Sequence, residues 1–489
     1  MRCLYIYCFI CSLFTLLACT RELPSVTQPG ETEICPDYIG VTVPINIAPL
    51  NFRFANQRMD GMVRFKVGDN ELVVVADNGA FSIPEKEWRS LTKEASGKEI
   101  DVNLYFREDG SGWKEMEFPI YISADSIEPY LAYRRIFPGY RMWNEMGIYL
   151  RCVETFEERP ILTNNETNNS CMNCHSFSER NGDRLLFHQR GSHNGTYIVE
   201  GDKVRRISLE RDGKPASFVY PYWHPSGRYV AFSTNETHQD FHQHDANRIE
   251  VYDVRSDLLI YDVDNGVAFS SPLLASKSSL ETFPTFTPDG KSLIFCSADS
   301  VDMPDEYRKI GYNLLRVDFC PENGMIGERV DTLYNANRSG GSATFPRVSP
   351  DGRWLLFTLS DYGTFPIWHK EADLYMMDLS TSAIVPLSHV NSQNVDSYHS
   401  WSGNSRWFVF SSRRGDGLFT RPYFVHVDGE GRCSKPFILP QEQADYYDRS
   451  LYSFNVPELL STPPSLSRRA AVEATFNKET YIVKGIEGL

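Results

Sequence analysis

Short runs in which apolar and polar residues alternate dominate the chain from residue 36 to about 130. Gly61-Met62-Val63-Arg64-Phe65-Lys66-Val67 has the period of a half-buried strand, and Glu71 to Val75 forms a second apolar run. Asp101 to Phe106 leads into an Asp109-Gly110 turn, and Glu115 to Ile122 returns as the next strand. Such runs separated by turn residues predict a small antiparallel β-sandwich over 36–130. It holds no catalytic constellation and reads as a spacer or recognition module.

Further along, the hydrophobic pattern repeats. Tyr220-Pro221-Tyr222-Trp223-His224-Pro225-Ser226-Gly227 precedes the apolar run Tyr229 to Phe232, and Phe283-Pro284-Thr285-Phe286-Thr287-Pro288-Asp289-Gly290 precedes Leu293-Ile294-Phe295. Phe345-Pro346-Arg347-Val348-Ser349-Pro350-Asp351-Gly352 precedes Trp354 to Phe357, and a weaker copy runs from Tyr398-His399-Ser400-Trp401 to Trp407-Phe408-Val409-Phe410. Each copy is a short strand, a tight turn and a strongly apolar strand. One such hairpin cannot bury both its faces, so the copies must pack side by side around an axis. The repeats resemble those of the TolB family of β-propellers. That resemblance implies an all-β chain: the N-terminal β-sandwich, then a five- or six-bladed TolB-like β-propeller over 131–489.

An earlier copy, Gly182-Asp183-Arg184-Leu185-Leu186-Phe187-His188, aligns with Gly290 to Cys296. Cys174-His175 then falls where another copy has Phe283-Pro284, at the start of a channel-lining strand. A sixth blade is expected from segments 131–165 and 461–489, joining both ends of the ring.

Composition changes the picture in two places. The net charge of −15 lacks the clustered Lys and Arg of a nucleic-acid footprint. The start of the chain reads as a targeting segment: Arg2, an apolar stretch from Leu4 to Leu17, then Leu16-Leu17-Ala18-Cys19. This ending resembles a bacterial lipobox, which implies a signal peptide over 1–19, lipidation of Cys19 and a polar tether over 20–35. A plain cleavable signal and an uncleaved anchor are the alternatives. The expected location is the cell envelope, lipid-anchored at the outer membrane, on its periplasmic or surface side. Of 11 cysteines, seven follow Cys19, and their scatter shows no disulfide framework.

Candidate chemistry centres on Cys171-Met172-Asn173-Cys174-His175. Cys-x-x-Cys-His resembles the attachment motif of c-type cytochromes, in which both thiols would bind the vinyl groups of one haem c and His175 would ligate the iron. A redox disulfide would want a thioredoxin-like βαβ context, and a zinc site a second Cys-x-x-Cys; neither is present. His188, across the hairpin, and His193, in the turn Gly191 to Gly195, are the candidate distal ligands, beside a vacant or water-filled position. His224 and His399 are weaker candidates, each with a structural reading. His238, His242 and His244 could bind zinc or copper or form a polar loop. The expected function is electron transfer to an envelope redox partner, or redox or ligand sensing, with peroxidase-like chemistry only at an open distal site. The alternative is a non-enzymatic propeller scaffold that binds a protein or peptide at the channel mouth, where Trp223, Trp354, Trp368 and Trp401 could line the surface. No Gly-x-Ser-x-Gly elbow points to a hydrolase.

Overall fold

A computed structural model of the chain describes residues 22–485, apart from 57–58, 109, 138–144, 192, 212–213, 216–217, 386 and 478–479. The signal-peptide and Cys19 expectations lie outside the described residues.

From residue 130 onward the described residues form six sheets of four or five strands around the ring, each starting from an inner strand. The inner strands are β1 (Cys171–Phe177), β2 (Val219–Trp223), β3 (Ser279–Phe286), β4 (Ser342–Val348), β5 (Asp396–Trp401) and β6 (Ser453–Leu460). β1 neighbours β2, β2 neighbours β3, and so on to β5 and β6, and β6 neighbours β1 in turn. A ring of inner strands around a central channel is the β-propeller architecture.

Ring closure uses both ends of the chain. β6 pairs with Tyr130–Ile136, which continues to Met146–Cys152 and Glu158–Thr163. The expected 131–165 contribution is therefore present, but the C-terminal strand is 453–460, not part of 461–489. The last residues instead add short parallel edge strands, Tyr481–Ile482 on the β1 sheet and Lys484–Gly485 on the β2 sheet.

The second strand of each sheet is a nearly continuous apolar run because both of its faces are covered. Leu185 and Phe187 pack toward the β6 sheet, while Leu186, between them, joins Val230, Phe232 and Trp223 of the β2 sheet. Tyr229 and Ala231 then face Leu293 and Phe295 of the next sheet. Alternation thus builds a separate apolar layer between each pair of sheets.

The strands Tyr229–Phe241 and Ile249–Asp262 form a hairpin long enough to leave its own sheet. It delivers the buried Glu250 to a loop of the β4 sheet, where Glu250 Oε1 lies 3.0 Å from His369 Nε2 and Tyr362 donates to Glu250 Oε2 at 2.8 Å. Glu371 approaches the other ring nitrogen of His369 at 3.3 Å. Burial alone would push the imidazole down, but the two carboxylates outweigh it and raise its pKa to about 9.

The N-terminal part is two facing sheets, one of six strands and one of three, with Phe54 edge-on to Phe81 and near Phe106 of the larger sheet. Two features depart from expectation. Val26–Pro29, within the expected tether, pairs in parallel with Trp113–Ser123. A helix, Glu85–Glu94, buries Trp88, Leu91 and Thr92 at helical spacing and fixes the Trp88 indole by a 3.0 Å bond to the Ile47 carbonyl. Its core is continuous with the β5 and β6 sheets through Trp407, Val409 and Phe454.

Candidate functional site at the channel mouth

Each inner strand carries a bulge at the same place, and each bulge holds one residue in the left-handed region: Cys174 (φ 52°), Tyr220 (49°), Phe283 (49°), Phe345 (52°), Tyr398 (44°) and Val456 (51°). The sequence alignment of Cys174 with Phe283 is therefore also a backbone equivalence. Four of these side chains plug the channel, with ring centroids 4.4 Å apart for Tyr220–Phe283, 4.1 Å for Phe283–Phe345 and 4.6 Å for Phe345–Tyr398. The next residue is Pro221, Pro284, Pro346 or Pro457 in four strands, because a bulge tolerates the missing N–H. In β1 and β5 it is His175 and His399.

His175 is 2% exposed and turned toward β6, with Nε2 3.6 Å from Glu458 Oε1, yet neither ring nitrogen has a hydrogen-bond partner. Burial, reinforced by the Arg134 guanidinium, holds its pKa down at about 3. His399, its counterpart, is bonded through Nε2 to the Leu356 carbonyl of the preceding sheet at 3.0 Å. The two share one architectural position, filling the gap to the sheet before.

These residues are not arranged to hold a haem. Cys171 to Cys174 lie in a strand, where a residue advances about 3.3 Å, so the two backbones stand roughly 10 Å apart rather than the ~4.5 Å of a helical turn. Both thiols are buried and free, and burial raises that of Cys174, whose position belongs to the plug. The Glu458 carboxylate occupies the space an iron on His175 would need. The candidate distal ligands lie elsewhere. His188 is buried, bonded to Thr196 Oγ1 at 2.9 Å, at the position from which Ser233 and Ser411 reach the following sheet, whereas His175 faces the preceding one. His193 packs on Phe476 at 4.6 Å. Nor do the remaining histidines converge. His224 bonds to Gly290 of the β3 sheet, His238 stacks on Tyr252, and His242 faces the Tyr307 hydroxyl at 3.4 Å.

What the inner strands do assemble, one residue further on, is a cavity of about 310 Å³ at the channel mouth. Arg347, Glu458, Ser176, Ser400 and Tyr222 all occupy the second position after the bulge and all line it, with His399 and Trp401 between them. Trp223 and Trp401 close seams between sheets, donating to the carbonyls of Ser176 at 3.3 Å and Arg347 at 3.1 Å. Burial pushes the Glu458 carboxyl up to about 8, although the Phe177 N–H and Arg347 favour its ionised form. His399, buried beside Arg347, is held at about 3. Trp354 and Trp368, by contrast, lie beneath Arg353 and Arg413 at 4.3 Å each. Sequence reading passed over Arg347 and Glu458 as site residues. A signal for the second existed in Val456-Pro457, which echoes the Phe-Pro of β3 and β4.

No protein-family model matches the sequence, and no curated protein matches it. Among solved structures, the chain is similar to a puromycin hydrolase (13% identity, 63% of this chain and 45% of that one, TM-score 0.38). It is similar to an oligogalacturonate lyase in complex with manganese (12%, 62% and 73%, TM-score 0.38) and to a hypothetical selenium-binding protein from Sulfolobus tokodaii (10%, 75% and 91%, TM-score 0.42). The chain thus spans less than half of the hydrolase, and its own strand order establishes the β-propeller.

Proposed function

We propose that this protein is a lipid-anchored β-propeller of the cell envelope, held at the outer membrane through Cys19, that binds a ligand or the end of a partner chain at its channel mouth. The observation that supports this reading is the cavity itself. A cation, a carboxyl group held largely neutral and an unpartnered imidazole nitrogen converge between aromatic walls, the composition of a recognition site with few, placed polar groups. The resemblance to TolB-family repeats favours binding at a channel mouth.

Thermal-shift measurements on the full-length lipoprotein in detergent, across a panel of small acids, amides, amines and short peptides, test it. The expected result is stabilisation by at least one class that disappears in Ser400→Trp, a substitution that fills the cavity. Stabilisation of both proteins alike, or of neither by any class, refutes it. Electron transfer through haem is not part of this proposal, since the motif residues do not fit the group. Full-length protein exported together with cytochrome c maturation machinery is expected to show no Soret band. A covalently retained Soret chromophore would overturn the arrangement of β1.

A further inference from the structure

We propose that the channel-mouth cavity is a receptor for a carboxylate, captured by the Arg347 guanidinium between Glu458 and His399. The inference rests on the binding-site reading above and names the chemistry of its ligand.

Arg347 is the group that requires explanation. Its guanidinium carries five N–H donors in a planar fork, yet its protein acceptor is the carbonyl of Pro346, reached by Nη1 at 2.8 Å. Its other support is the face of Tyr222, 4.9 Å away, and it has no ion pair among the described residues. A half-buried guanidinium at a cavity wall with spare donors is a ready site for a group that accepts from them. The nearby acid does not serve. Glu458 Oε2 already accepts from the Phe177 N–H at 3.0 Å, Oε1 faces His175, and burial favours its protonated form. A planar bidentate acceptor is the natural complement of the unused side of the fork, and a carboxylate is the commonest such group.

The other polar groups fit the same ligand. A neutral carboxyl at Glu458 does not repel an incoming carboxylate. His399 donates through Nε2 to Leu356, so its buried Nδ1 is a lone-pair acceptor with no partner. It suits an N–H carried close to the ligand's carboxylate, as in an acylated α-amino acid. Tyr222, Phe345 and Trp401 offer apolar walls for the remainder. That chemistry has two sources, a free acylamino acid and the C-terminus of a peptide.

Charge around the site gives the binding a pH signature. The ionisable groups here are His175 of β1, Arg347 of β4, Glu458 of β6 and His399 of β5, with Tyr222 and Tyr398 on the walls, Glu179 and Arg180 at the rim, and Arg134 acting on His175. Both imidazoles are held neutral by burial. Deprotonation of Glu458 therefore places an anion beside the ligand and competes for Arg347, and binding weakens as pH rises through about 8.

Calorimetric titration of the full-length protein with N-acetylphenylalanine, its carboxamide and a tripeptide acid ending in phenylalanine tests the proposal. The acid is expected to bind and the amide to bind at least tenfold more weakly; the tripeptide arm tells a closed pocket from one open to a chain. Arg347→Gln should lose tenfold to hundredfold for the acid and nothing for the amide. Glu458→Gln should keep binding at pH 7 and remove the weakening above pH 8, and as a near-isosteric change it answers even if Arg347→Gln does not fold. Equal binding of acid and amide, or indifference to Arg347→Gln, overturns the carboxylate assignment and leaves the binding site standing. Silence toward all three probes, while the thermal-shift panel finds a ligand of another class, overturns it as well. Silence of that panel too removes the binding-site reading itself.

Discussion

Replacing His369 by Gln would remove the charge from the one described imidazole that carboxylates approach on both ring nitrogens, at 3.0 Å and 3.3 Å. Because the folded pKa is about 9 against an ordinary 6.5, the imidazolium is favoured in the fold. The gap of roughly 2.5 units corresponds to about 3 kcal/mol at about 1.36 kcal/mol per unit. The group is raised, so this stabilisation is fully present below pH 6.5 and is lost as pH rises toward 9. The His369 side chain is wholly enclosed, so bulk solvent screens little of it. Urea unfolding of the full-length protein at pH 6, 7.5 and 9.5 reads the effect. His369→Gln should be less stable by about 3 kcal/mol at pH 6, and the difference should shrink by most of that amount at pH 9.5. Parallel pH profiles for the two proteins would show that Glu250 and Glu371 do not hold a charged His369, and that the long hairpin is fastened by its other contacts, among them the Tyr362–Glu250 hydrogen bond.

Three further outcomes follow from burial and topology. Native Cys171 and Cys174 should react with iodoacetamide far more slowly than half-buried Cys320, and all should react alike in urea; fast labelling of the pair by mass spectrometry would mean that β1 leaves the ring readily. Leu186→Ala, at a fully enclosed position between the β1 and β2 sheets, should cost about 2–5 kcal/mol in urea denaturation, and a loss below about 1 kcal/mol would contradict the close packing described. Truncation after residue 452 removes β6 and leaves the edges of Tyr130–Ile136 and β5 uncovered. The product should aggregate or show a broadened melting transition in circular dichroism, and a sharp native-like melt would show that the ring does not depend on its closing strand.

Much of the propeller was legible because three repeats state themselves twice, in an aromatic-Pro pair and in the turn that follows. β6 was harder to see since it is the last inner strand. It has the Val456-Pro457 pair but its neighbour Tyr130–Ile136 comes from more than 300 residues earlier, so no turn follows it in sequence. The helix Glu85–Glu94 hid inside a strand-rich region with only Trp88, Leu91 and Thr92 to mark its period. Cys171 to His175 illustrates a different limit: five residues specify donor atoms but not whether a helix gathers them or a strand spreads them. The cavity could not be read locally, because Arg347 and Glu458 meet only after the ring has closed.

The six left-handed residues also determine where the channel is weakest. Four are aromatic and two, Cys174 and Val456, are small, and those two come from β1 and β6, which are adjacent. The stopper is therefore lopsided, thick on the β2–β5 side and thin along one seam. That seam flanks the sheet in which β6 is joined to Tyr130–Ile136, and His175 and Glu458 face each other across it while the charge of Arg134 reaches both His175 and Tyr398. Water or a small ion crossing the propeller would meet its lowest barrier off the axis, on the β1–β6 side.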